Sequence, residues 1–224
     1  MLSYISLHMV NHALGAWSIA LAEAGLTLSM TLWQSPPGTS ALYGAAAIHF
    51  ALALRTLYER RHWRLPFIEW VRLWAGFSLP WMLVGHVMGT RVAGGWFDFT
   101  VSYETVVGSL VRGGLQGWQV ALLAPGWIHG CLGLWISLRR YPTLRRLKPL
   151  FLAFMLAMPV LSAFGFANMA RVAAPSGPEL ASTHRETLEI WRQALAYGYL
   201  FLLAGAAGAG AFRNRTRVET PAQQ

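Results

Sequence analysis

Six long stretches of this chain carry no Asp, Glu, Lys or Arg: residues 1–22, 24–54, 73–90, 113–138, 149–170 and 193–212. Each is close to or longer than the roughly 20 apolar residues that an α-helix needs to cross a bilayer. None alternates apolar and polar positions over ten residues between turns, as a barrel strand would. The stretch 24–54 is interrupted by WQSPPGTSALYG, whose paired prolines, Gly and Ser mark a loop. The pattern therefore predicts an all-α integral membrane protein, a six-transmembrane-helix bundle with helices at about 1–20, 39–58, 68–90, 117–138, 149–170 and 192–212. The piece Leu21–Trp33, with Glu23 and a terminal Trp, reads as a short interfacial helix, because Trp favours the headgroup level. The first helix has no basic anchor before it and no signal-peptide n-region. Residues 1–212 form the membrane domain in this reading, and 213–224 a basic, then polar, tail.

Composition agrees with a lipid solvent: of 224 residues 55% are hydrophobic and only 12% charged, against about a quarter charged in soluble domains. The basic residues are sorted. Arg55, Arg60, Arg61, Arg64 and Arg72 border the second predicted helix's exit. Arg139, Arg140, Arg145, Arg146 and Lys148 follow the fourth, and Arg213, Arg215 and Arg217 the sixth. Arg91, Arg112, Arg171, Arg185 and Arg192 fall on the other side, with most of the acids. By the positive-inside rule the first group is cytoplasmic, and so are both termini. Topology thus accounts for the net charge of +9, and no stacking-plus-basic motif points to nucleic acid. The one cysteine, Cys131, excludes an intrachain disulfide and an all-cysteine iron–sulfur cluster. It reads as a small packing residue.

Ionisable groups inside spans usually mark function. Here His8 and His12 lie in the first predicted helix, His49 in the second, His86 in the third and His129 in the fourth, while His62 and His184 fall in charged loop sequence. No span supplies a central carboxylate, which a proton relay would use and which a non-haem iron or zinc site would commonly recruit. Bis-imidazole ligation of b-type haem needs only histidines on facing helices. A flat macrocycle also needs small neighbours: Gly85 and Gly89 flank His86; Gly126, Gly130 and Gly133 surround His129; Ala45, Ala46 and Ala53 accompany His49; Ala13 and Gly15 follow His12. Small residues are common at membrane helix contacts anyway, so this supports haem without diagnosing it. Depth along the helices suggests an outer pair, His12 with His86, and an inner pair, His49 with His129, roughly 15 Å deeper. His8 is an alternate to His12. Arg91 is placed either to meet a haem propionate or to snorkel at the interface. Tyr103, Glu104 and Arg112 in the second outer loop read as solvated, although they offer proton-handling groups. Pro80 is expected to kink the third helix, and Ser162 and Asn168 to hydrogen-bond between helices.

The motifs HMVNHALG, YGAAAIHFALAL, GHVMGTR and WIHGCLGLW, in this order in successive spans, resemble the membrane anchor of a group of bacterial adenylate/guanylate cyclases. That anchor is itself similar to the dihaem cytochrome b anchors of succinate:quinone oxidoreductases. The resemblance implies two b-type haems, electron exchange with the quinone pool and a multi-pass location in the bacterial inner membrane. It also implies redox sensing for a cytoplasmic output domain and pairing into a homodimer. The chain stops at RNRTRVETPAQQ, so the nucleotide chemistry does not reside in these residues. The alternatives are the membrane anchor subunit of a quinone-linked oxidoreductase with a soluble redox partner, and a haem-free transporter or scaffold.

Overall fold

The computed structural model describes residues 1–173 and 180–219, with no side-chain description at 143–144 and 216–219. Every regular element among the described residues is helical. In chain order these are α1 (Leu2–Leu14), α2 (Ile19–Trp33), α3 (Pro36–Glu59), α4 (Phe67–Val87), a π-helical turn (Met88–Val92), α5 (Ala93–Trp96), α6 (Tyr103–Arg112), α7 (Gln116–Leu138), α8 (Pro142–Arg145), α9 (Lys148–Val172) and α10 (Ser182–Glu219). Four helices are long and apolar enough to cross a membrane: α3, α7, α9 and, over Ser182–Arg215, α10. Their outer faces leave Ile48, Leu150, Phe201 and Phe212 exposed, as lipid-facing side chains are.

Local chemistry sets the helix starts. Ser18, in extended backbone, accepts the Leu21 N–H and opens α2. Ser35 accepts the Gly38 N–H and opens α3, whose first two residues are proline. Proline is tolerated there because those N–H groups have no helical partner. The predicted loop at WQSPPGTS thus narrows to a two-residue break between α2 and α3.

Contacts fix the directions. Asn11 donates to Ser29 at 2.7 Å, Leu14 lies against Gly25, and Tyr4 meets Trp33 edge-on, so α2 folds back antiparallel along α1. The first helix expected over 1–20 ends at Leu14, and the segment expected at the interface is the second arm of a helical hairpin. Ser162 donates to the Met9 carbonyl and Asn168 to that of Gly15, so α9 runs parallel to α1. Gln119 meets His86 and His129 meets the Arg72 carbonyl, making α4 and α7 antiparallel. Trp127 donates to the Met155 carbonyl and Trp135 stacks on Phe151, making α7 and α9 antiparallel. Phe50 with Tyr199, and Tyr58 with Gly210, set α10 parallel to α3. Tyr199 donates to the Phe77 carbonyl at 2.6 Å, tying α10 to α4.

As a result the α3–α4 loop, the α7–α9 connection and the end of α10 lie at one end of the bundle, and they carry the three basic groups. At this end Asn214 of α10 donates to the Arg60 carbonyl. Helix α10 starts ten residues earlier than expected and continues past residue 212, so no break separates the membrane domain from the start of the tail; positions 220–224 lie outside the described residues. Helix α4 continues through Pro80, and α7 and α9 through Pro125 and Pro159.

Helices α1 and α9 approach backbone to backbone. A Cβ at Gly165 would overlap the His12 carbonyl oxygen and lie 3.0 Å from the Ala16 nitrogen. Ser162, fully buried, and Asn168 flank that glycine and hydrogen-bond to the α1 backbone. Together they hold α1, and therefore His8 and His12, at a fixed height on α9. Cys131 is buried and packs with Met9, Trp127 and Met158.

Candidate haem-ligating histidine pairs

The five histidines of the apolar segments come together in two groups. His49 of α3 and His129 of α7 face each other with ring centroids 5.8 Å apart and ring planes nearly perpendicular. His8 of α1 and His86 of α4 face each other at 5.7 Å, and His12 stands behind His8, with its Nε2 3.2 Å from His8 Nε2. On α7, Gln119, the partner of His86, and His129 are ten residues apart, about 15 Å along the helix. The two groups therefore occupy two levels, His49 and His129 nearer the basic end.

In each group one ring has its Nδ1 held by a neighbouring helix. His129 Nδ1 donates to the Arg72 carbonyl at 2.9 Å, and His86 Nδ1 donates to Gln119 Oε1 at 3.1 Å. An imidazole whose Nδ1 proton is held in this way presents an unprotonated Nε2, the form that binds a metal. Glycine makes the first of these contacts possible: a Cβ at Gly76 would come within 2.6 Å of the His129 ring. His12 is buried, and its Nδ1 has no hydrogen-bond partner.

Two glycines near the rings face open space. A Cβ at Gly133, one helical turn beyond His129 on the same face, or at Gly89, three residues after His86, would meet nothing within 4 Å. Helix α3 packs chiefly on α10 and α2. His49 reaches towards α7 from an open face and remains exposed. Among the described residues no group of three or more His, Cys, Asp or Glu is arranged to hold a metal ion. Two facing imidazoles suit a ligand that brings its own equatorial donors, which haem does.

Directly after His86 the chain leaves α-helical geometry for the π-turn Met88–Val92. Such turns recur at functional sites because they re-aim side chains. Here the turn carries Arg91, whose guanidinium donates to Thr39 Oγ1 at the start of α3 at 3.4 Å. No signal in GHVMGTR distinguishes this turn from ordinary helix.

Tyr103 is the residue that sequence reasoning misplaced. It is not solvated but 6% exposed, on α6 rather than a loop. Its ring meets that of His12 edge-on at 5.5 Å, and its hydroxyl has no hydrogen-bond partner. Burial, reinforced by the Glu23 carboxylate, pushes the Tyr103 phenol well above its ordinary range. The signal was present in the sequence. Ser102 and Thr105 form a capping box, and Tyr103, Val107, Leu110 and Val111 fall on one helical stripe that packs on Phe166 and Met169. His62 is exposed as expected, whereas His184 lies in α10 and stacks on Phe97 at 4.5 Å.

No family model, curated protein or solved structure matches the chain.

Proposed function

We propose that this chain is the membrane domain of a dihaem b-type cytochrome, with His49 and His129 as axial ligands of one haem and His86 as an axial ligand of the other. The observation that carries the reading is the double pairing of imidazoles across helices, His49 with His129 and His8 with His86. One ring of each pair also has its Nδ1 tied down. A scaffold in which histidines only hydrogen-bond has no need for rings that face each other at two levels. Haem bound at both levels supplies one-electron exchange across the bundle. The protein's part is to fix the rings: α7 carries the anchor for one level and the ligand for the other, so a single rigid helix sets their separation.

His8 is the ring nearest His86, so we take His8, the alternate in sequence, as the second ligand at that level in place of His12, which supports it from behind. Arg91 lies about a turn beyond His86 and is assigned to a haem propionate there. The finer topology belongs to the same reading: α4 crosses alongside the four long helices, and α1 rises beside α9 from the basic, cytoplasmic end. The resemblance to cyclase anchors supports quinone as electron partner and a cytoplasmic output domain as the recipient of the redox signal.

Single substitutions test the ligand set by haem stoichiometry. His86→Ala and His8→Ala each lose one haem of two, while His12→Ala keeps both with a shifted spectrum. Loss of haem in His12→Ala with retention in His8→Ala moves the ligand to His12, and full retention in all three overturns the assignment. Gln119→Leu removes the acceptor for His86 Nδ1 while keeping the size of the side chain. Partners of this kind are worth about 10–100-fold in affinity, so the expected result is weaker retention of the His86 haem and a changed midpoint potential. An unchanged potential in potentiometric titration contradicts this role.

A further inference from the structure

At the basic end a concavity of about 440 Å³ is lined by Trp135, Pro142, Arg145, Arg146 and Lys148. It lies where α7 ends and α9 begins, two helices long and apolar enough to cross a membrane, and so at the level where hydrocarbon gives way to headgroups. Its lining is amphiphilic. Trp135 supplies an apolar wall, held in place by stacking on Phe151. Arg145 ends the short α8, Arg146 lies in the turn that follows, and Lys148 opens α9. No Asp or Glu occurs from position 105 to 178, so neither α7, α8 nor α9 supplies a counter-charge to them. A second concavity at this end, lined by Thr56, Glu59, Arg60, Arg61 and His62, does carry its own carboxylate, and Glu59 is engaged by Arg55 at 2.9 Å.

We infer that the α7–α9 cavity is a binding site for the phosphodiester headgroup of an anionic phospholipid, with Arg145, Arg146 and Lys148 on the phosphate and Trp135 against the glycerol and upper acyl chains. Basic pockets between membrane helices on one face bind such headgroups, and each Lys or Arg near the surface contributes about 1 kcal/mol. Trp at headgroup depth fits the same occupant, whereas a water-soluble phosphate has no use for the apolar wall. The site is independent of haem.

The test uses the full chain, delipidated in detergent and titrated with phosphatidylglycerol or phosphatidylcholine while bound lipid is read by native mass spectrometry. The expected result is one tightly held phosphatidylglycerol per chain and no comparable phosphatidylcholine. In the variant R145Q/R146Q/K148Q that lipid binds on the order of 100-fold more weakly. R60Q/R61Q/R64Q, which removes the same charge from the neighbouring loop, leaves it unchanged. Equal weakening in both variants, or none in either, overturns the site in favour of bulk charge. Displacement of the lipid by millimolar inorganic phosphate overturns the lipid and leaves a soluble anion. Size-exclusion profile and helix content establish that each variant is folded; if the triple variant is not, R145Q alone is read in the same way, with about a fivefold loss expected.

Discussion

Gly165→Ala is expected to unseat α1 from α9 and to lose the haem held by His86 while leaving the other in place. The added methyl meets the His12 carbonyl oxygen and the Ala16 nitrogen, which are backbone atoms and cannot turn aside as a flexible side chain can. Overpacking against yielding neighbours costs about 1–3 kcal/mol, and here the whole helix must move instead. Ser162 and Asn168 then lose their hydrogen bonds to the Met9 and Gly15 carbonyls. His8 and His12, carried by α1, leave the level of His86. His49 and His129 sit on α3 and α7, which this contact does not hold. The measurement is thermal unfolding together with the haem-to-protein ratio. A variant as stable as the parent with both haems contradicts the structural account of α1.

His129→Ala is expected to remove the other haem completely, because a single remaining imidazole on the exposed face of α3 cannot retain it. Part of the loss could come from the empty volume, so Gly133→Leu provides a second test. A Cβ at Gly133 would meet nothing within 4 Å, so a leucine there, one turn from His129 on the same face, enters the space on that face without touching another residue at its Cβ. In a haem-free scaffold this substitution is neutral. In a cytochrome it lowers occupancy of the His49–His129 level, seen as about one haem per chain and the disappearance of one of two redox transitions. Unchanged stoichiometry in both variants removes the case for a haem at that level.

How much of this was legible in sequence depends on what each signal reports. Uncharged runs report how much apolar surface a segment must hide, and they located α3, α7, α9 and α10 within a few residues, apart from the extensions of α10. They do not report against what it is hidden. The run 1–22 therefore read as one span, whereas the structure bends it at Gly15–Trp17 and folds α2 back on α1. Asn11, 3% exposed, is the residue that decides this, since its buried amide needs Ser29 across the hairpin. Counting rise along helices was enough to bring His49 near His129 and the His8–His12 turn near His86, because the helices concerned are regular over those lengths. It could not separate His8 from His12, which differ by one turn and depend on the height of α1 on α9. That height is set by Gly165, a residue whose role is visible only when the second backbone is present. Tyr103 was misread for another reason: a ten-residue helix bordered by charged residues has the composition of a loop, and only its apolar stripe reveals the buried face.

The most direct test of the dihaem reading is a reduced-minus-oxidised spectrum of the purified chain, expressed with haem supply, alongside its haem-to-protein ratio. The account predicts sharp low-spin b-type bands and about two haems per chain, as bis-imidazole ligation at two levels requires. Folded, monodisperse protein with no haem contradicts it, and leaves the two pairs of facing histidines as hydrogen-bonding groups of a membrane scaffold.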